Sequence, residues 1–305
     1  MGASKDMLAQ ALHRLGRGVR LRFEPPSPVV ALLLGAALWG VSWYPLRLLE
    51  ARGFYGVWLT LVVYAGALTV GLPALLHHRT ELGRHKSALL GIALSGGCTN
   101  IAFVLAILDG NIMRVLLLFY LSPLWAVVLG WFVLGERVSR SALLTLAVAM
   151  TGAFIMLWRP TLGMPWPASH ADWLAMGAGL AFALSNVIVR GTPQVSIAEK
   201  VTSTWIGVVA LAAGLILWFG VPVPSVSPPV TLAALLLGAA GFACMTALVQ
   251  YGVSHMAIRR SAVILLFELV AGALSQQLLS DEVMTLTEWV GGTLIVLAAY
   301  LSARR

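Results

Sequence analysis

The chain has 305 residues, 59% of them hydrophobic and only 10% charged, with a mean hydropathy of +0.90. That composition excludes an ordinary water-soluble core, and two cysteines inside apolar runs exclude a disulfide framework. A net charge of +8 and a pI near 10.1 raise nucleic-acid binding, which the placement of the charges removes.

Residues 1–27 form a basic segment carrying Lys5, Arg14, Arg17, Arg20 and Arg22. Met7, Leu8, Ala11, Leu12, Leu15 and Val19 recur at helical spacing within it. Two readings stay open, an amphipathic helix on an anionic inner leaflet or a positive tail that only sets orientation. The apolar run from Val29 is too long for a signal-peptide core and leads directly into further apolar runs, so cleavage is not expected.

Ten stretches are then long enough to cross the roughly 30 Å hydrocarbon layer. They are predicted as transmembrane helices at Pro28–Leu49, Phe54–Leu76, Ser87–Leu108, Ile112–Leu134, Ser141–Trp158, Trp173–Arg190, Val201–Phe219, Thr231–Val253, Ser261–Leu279 and Leu286–Leu301. Between the fifth and sixth lies RPTLGMPWPASH, whose three prolines and one glycine mark a linker at 159–171. VPVPSVSPPV, residues 221–230, is predicted non-helical because four of its ten residues are proline.

Charges alternate by loop. Arg79, Arg84, Lys86, Arg137, Arg140, Arg190, Lys200, Arg259, Arg260, Arg304 and Arg305 fall on the same side as the N-terminal basic segment. The opposite loops hold Arg52, Arg114 and Arg159 beside Glu50, Asp109, Asp172, Asp281 and Glu282. By the positive-inside rule both termini are cytoplasmic, and the basic pI is membrane topology.

Asn111–Glu136 and Ala257–Glu282 are related at a constant offset of 146, which also pairs Cys98 with Cys244; an offset of 143 pairs Ser42 with Ser185 and Arg47 with Arg190. Two related halves follow, 28–158 and 172–305. Five spans per half turn the second copy upside down, and the opposite charges of LGERVSR and SDEVMTLTE agree with that inversion. The predicted fold is an all-α membrane protein of two inverted five-helix repeats around a central cavity. Gly35, Ala36 and Gly40, Gly91, Ser95, Gly96 and Gly97, Gly177 and Gly179, Gly238 and Gly241, and Gly291 and Gly292 are expected at helix contacts, and Cys98 and Cys244 are read as small packing residues.

Polar groups inside hydrocarbon are costly and usually face a protein interior or a hydrated cavity. Glu268 is the one acid well inside a span, about 12 Å along the axis from Arg260. It suits a substrate ammonium or a transferable proton. Trp39, Trp43 and Tyr120 offer apolar area and a face for a cation, although an interfacial belt also explains Trp43. Ser42, Asn100, Ser185, Asn186, Thr246, Gln250 and Tyr251 offer donors and acceptors that line a path or simply join helices. Pro123, mid-span, is the candidate hinge; Pro45 and Pro73 also interrupt helical bonding.

The segments ALWGVSWYPLR, LSPLWAVVLGWFVLGERVS, ALSNVIVRG, VQYGVSHMAIRRSA and SDEVMTLTEWVGG together resemble the drug/metabolite transporter superfamily, in particular its ten-helix EamA-type members, over nearly all of Val29–Leu301. The chain departs from that family at Glu268–Leu269, where a proline is common, and at the SDE ending. Its Trp and Tyr content looks most like exporters of aromatic and other hydrophobic amino acids. The resemblance implies a secondary transporter in a bacterial-type inner membrane, working by alternating access on a small-molecule substrate. Exporters of other amphipathic metabolites or drugs are the nearest alternative; proton coupling and facilitated diffusion both stay open. An intramembrane enzyme or scaffold is the rival class, but neither HExxH nor GxxxxGK[ST] occurs, and no cofactor or metal is implied.

Overall fold

The computed structural model describes residues 26–54, 56–77, 85–163, 166–280 and 283–304. The basic segment before Pro26 lies outside these residues, as do Arg79, Arg84, Asp281 and Glu282. The described residues form ten helical spans and no strand: Pro28–Glu50, Gly56–Pro73 within a helix reaching His77, Lys86–Asp109, Ile112–Leu134, Arg140–Leu157, His170–Gly191, Ile197–Phe219, Pro228–His255, Ile258–Leu279 and Leu286–Ala303. They are called spans 1 to 10. Large apolar side chains such as Phe132, Leu217, Trp218 and Leu278 stand more than four-fifths exposed, as a lipid-facing surface requires.

Local chemistry sets the ends. Ser169 with Asp172, Ser196 with Glu199, and Thr285 with Glu288 form capping boxes that start spans 6, 7 and 10. Gly135, at φ 66°, and Gly220, at φ 60°, end spans 4 and 7 in the left-handed region. The proline-rich loop is shorter than expected. Val221–Ser227 is non-helical, but Pro228, Pro229 and Val230 form the first turn of span 8, where an N–H has no helical acceptor and proline loses nothing.

Neighbouring spans run around the bundle in the order 1, 8, 2, 7, 3, 6, 4, 9 and back to 1, so every contact in this ring joins the first half to the second. Spans 5 and 10 pair with each other beside spans 4 and 9. Exchanging each span n with span n+5 leaves the order unchanged. Backbones touch where side chains are smallest: a methyl group on Gly207 of span 7 would overlap the Ala93 carbonyl of span 3, and one on Gly238 of span 8 would overlap the Val63 carbonyl of span 2. Two small-residue expectations are corrected. Nothing lies within 4 Å of the space a side chain at Gly177 would occupy, and Cys98 and Cys244 are exposed. On span 3, Gly96 and Gly97 meet Thr204 and Gly207, and at about 100° per residue Cys98 is turned outward.

Spans 1, 4 and 9 are broken and span 8 is bulged. Span 4 leaves helical geometry at Tyr120–Leu121 and span 9 at Leu266, while Leu237–Phe242 in span 8 is a π-helix and span 1 bends at Ser42. In span 4, Pro123 lacks the N–H that would bond the Phe119 carbonyl. That carbonyl lies against Gly179 of span 6, 2.6 Å from where a Cβ would stand. Span 9 breaks without proline, through the tight turns Leu266 N to Val263 O (3.2 Å) and Leu269 N to Leu266 O (3.1 Å).

Candidate functional site

The breaks of spans 4 and 9 face one small cavity. Phe119, Tyr120, Ser122, Pro123 and Ala126 come from span 4, Phe182 and Asn186 from span 6, and Ala262, Leu265, Leu266 and Glu268 from span 9. Tyr120 and Glu268 line it together. Phe119 is the aromatic hub, with ring centroids 5.3 Å from Tyr120, 5.7 Å from Phe182 and 4.8 Å from Phe103. The cavity measures about 20 Å³, room for one water and not for an organic substrate.

A second polar group lies across spans 2, 3, 7 and 8. Tyr64 donates to Asn100 Oδ1 (2.7 Å), and Asn100 Nδ2 donates to the Gly96 carbonyl (2.9 Å). Gly96 abuts Thr204, whose hydroxyl accepts from Gln250 Nε2 (2.7 Å). Gln250 Oε1 and Thr246 Oγ1 are buried with no hydrogen-bond partner among the described residues. Trp39 closes the same region against Phe242, which also meets Tyr64, each pair edge-on at 5.4 Å.

The two ends of the bundle are held by ions. At the end where Pro28 and Ala303 lie, Glu136 accepts from Ile258 N (3.0 Å) and stands 3.6 Å from Arg190 and 3.7 Å from Arg259. At the opposite end Arg114 pairs with Asp172 (2.8 Å) and Arg159 with Glu288 (2.9 Å). Trp43 Nε1 there donates to Ser275 Oγ (2.8 Å), tying span 1 to span 9.

Of the residues predicted from sequence, Tyr120, Asn186, Glu268 and Pro123 share the cavity, and Trp39, Asn100, Thr246 and Gln250 belong to the second polar region. The others stand elsewhere. Ser42 bonds back to Trp39 O in its own helix, Trp43 joins helix ends, Tyr251 stacks on its helical neighbour His255, and Ser185 is buried but does not line the cavity. Sequence reasoning missed Ser122, Phe182, Tyr64 and Thr204, and it noted Phe119 only as one of the aromatic residues gathered in span 4. The detectable signal was offset symmetry: Leu266 stands 146 residues after Tyr120, and Glu268 occupies the place of Ser122.

Residues 26–158 match the EamA-like transporter family. Over this first half the chain is similar to the EamA-like transporters. They are part of the drug/metabolite transporter superfamily. An uncharacterized transporter of Archaeoglobus fulgidus is 25% identical over 226 residues, 73% of this chain and 79% of the relative, a length that exceeds the first half alone. A solved crystal structure with 20% identity covers 92% of this chain and 98% of its own, with a TM-score of 0.72, and shares the fold. The chain is a multi-pass membrane protein similar to small-molecule transporters, and its cavity lies between spans 4, 6 and 9.

Proposed function

We propose that this EamA-like transporter is a secondary carrier that exports small hydrophobic metabolites, foremost aromatic and other hydrophobic amino acids, across a bacterial-type inner membrane. The observation that carries the reading is the Glu268 carboxyl beside Tyr120, with Phe119, Phe182 and Asn186 around it. A carboxylate takes an ammonium, aromatic rings take an apolar side chain, and an amide with a hydroxyl, Asn186 and Ser122, serves a substrate carboxylate. In a dry site each of these contacts is stronger than in water.

The halves, 28–158 and 172–305, are read as mutually inverted, with both termini cytoplasmic. The Glu136 cluster then closes the cytoplasmic end, and Arg114–Asp172 with Arg159–Glu288 closes the outer end. Rocking of one half against the other breaks one set while the other persists, and the breaks at Tyr120 and Leu266 supply the bend.

Purified protein in sealed vesicles tests the reading, with aromatic amino acids offered against nucleosides, sugars and cationic drugs. Flux of unmodified aromatic amino acids, lost in Glu268→Ala, is the expected result. Flux of cationic drugs alone favours the second reading, an exporter of amphipathic cations, which the same acid and rings accommodate. A preference confined to sugars, or chemical conversion of a probe, overturns both.

A further inference from the structure

Among the described residues Lys200 is the largest fully buried side chain, 1% exposed, and no carboxylate of those residues is within ion-pair distance of it. Its ammonium donates to two neutral oxygens, the Val189 carbonyl of span 6 (2.8 Å) and Ser254 Oγ of span 8 (2.9 Å). Ser254 is shared with another cation: Arg190 donates to the Ser254 carbonyl (2.9 Å) and points its remaining charge at Glu136, which it shares with Arg259. The neighbouring acid, Glu199, turns its Oε2 to its own helix cap, accepting from Ser196 N (2.9 Å) and Ser196 Oγ (2.7 Å). A buried cation without a counter-ion is an expensive arrangement that packing alone does not call for.

The seam that Lys200 closes is polar along its length. Thr204 lies one turn on from Lys200 in span 7; Ser254, Gln250 and Thr246 follow one another at four-residue intervals along span 8, leading from the Lys200 end toward mid-membrane. Two of these groups have orphaned atoms, Gln250 Oε1 and Thr246 Oγ1. The Thr246 hydroxyl is unusual, because Thr60, Thr99, Thr145, Thr202, Thr204 and Thr293 all turn theirs back onto the carbonyl four residues earlier. Its own i−4 residue, Phe242, ends the π-helix. Orphaned donors and acceptors next to an uncompensated cation describe a seam whose partners are supplied in another state.

We infer that Lys200 is the anion-recognising residue at the cytoplasmic mouth of this carrier: parked on Val189 O and Ser254 Oγ while spans 6, 7 and 8 are closed, it takes a substrate carboxylate when they part, and Gln250 and Thr246 carry the polar track inward. The inference rests on the proposed amino-acid substrate and on cytoplasmic placement of that end, and it adds an entry contact for the substrate carboxylate ahead of Asn186 and Ser122 in the Glu268 cavity.

The test uses full-length protein in sealed vesicles and two probes that differ only in the anionic group, phenylalanine and phenylalaninamide, offered at the cytoplasmic face. Wild type is expected to favour the acid by about tenfold in kcat/KM, the worth of one charge-assisted hydrogen bond. Lys200→Met, similar in volume, brings the ratio near one through KM for the acid, and Lys200→Arg keeps the preference. Ser254→Ala, which retains the cation and removes one of its partners, lowers KM for the acid. Equal losses for both probes in Lys200→Met, or an unchanged ratio, overturn the inference. If wild type carries neither probe, the amino-acid reading falls, and the comparison passes to tryptophan-fluorescence titration in detergent with 3-phenylpropionate against 3-phenylpropionamide. There, a Kd for the anion that Lys200→Met does not raise, or no binding to wild type, overturns the role of Lys200 itself.

Discussion

The carboxylate of Glu136, just beyond the end of span 4, accepts the backbone N–H of Ile258 at the first turn of span 9, 3.0 Å away. One acid from the first half therefore caps a helix of the second, where the helix dipole also favours negative charge. Arg190 and Arg259 complete the cluster. Glu136→Gln keeps an acceptor for Ile258 and removes the attraction to both arginines. It is expected to open this end more often, by roughly threefold to tenfold for partly buried pairs worth about 1 kcal/mol. With Cys98 and Cys244 replaced, a cysteine at the buried Val189 position should react correspondingly faster with a water-soluble maleimide; an unchanged rate removes Glu136 from the closure.

Two glycines two positions apart separate packing from propensity. Gly179→Ala places a methyl against the Phe119 carbonyl freed by Pro123 and is expected to cost about 1–3 kcal/mol. Gly177→Ala meets nothing within 4 Å and gains helix propensity, so it should be neutral or stabilising by up to about 1 kcal/mol. Thermal unfolding of both variants in one detergent checks the contrast, and equal shifts would contradict the close approach of spans 4 and 6.

The part-buried Tyr64–Asn100 bond at 2.7 Å joins spans 2 and 3. Tyr64→Phe leaves the Asn100 carbonyl oxygen without its donor and is expected to destabilise by about 1–2 kcal/mol. A double-mutant cycle with Asn100→Ala should return a coupling of at least about 0.5 kcal/mol; additive effects would mean that the bond contributes nothing to stability.

Glu268 is the acid to test for proton coupling. If it carries the proton, Glu268→Gln abolishes the dependence of net flux on a pH gradient while substrate exchange between the two sides of a vesicle continues. Flux that still follows the gradient in the variant assigns coupling elsewhere and leaves Glu268 with the substrate ammonium.

Hydropathy placed all ten spans within a few residues of their helices, because a segment in hydrocarbon must bond its own backbone and each span meets that demand separately. Glu268 was legible for the same reason, as an acid that lipid would not tolerate. Partnership was not. Lys200 reads in sequence as one more loop cation, yet the capping box at Ser196 starts span 7 early enough to carry it into the helix, and Val189 and Ser254 bury it. The break at Leu266 has no proline to announce it, and Thr204 finds Gln250 across 46 residues of chain. The sequence by itself determined that the protein is a membrane bundle of ten helices. Only the tertiary structure decided which spans touch, since contact in lipid depends on where glycine faces let backbones meet, and those faces are matched between segments far apart in the chain.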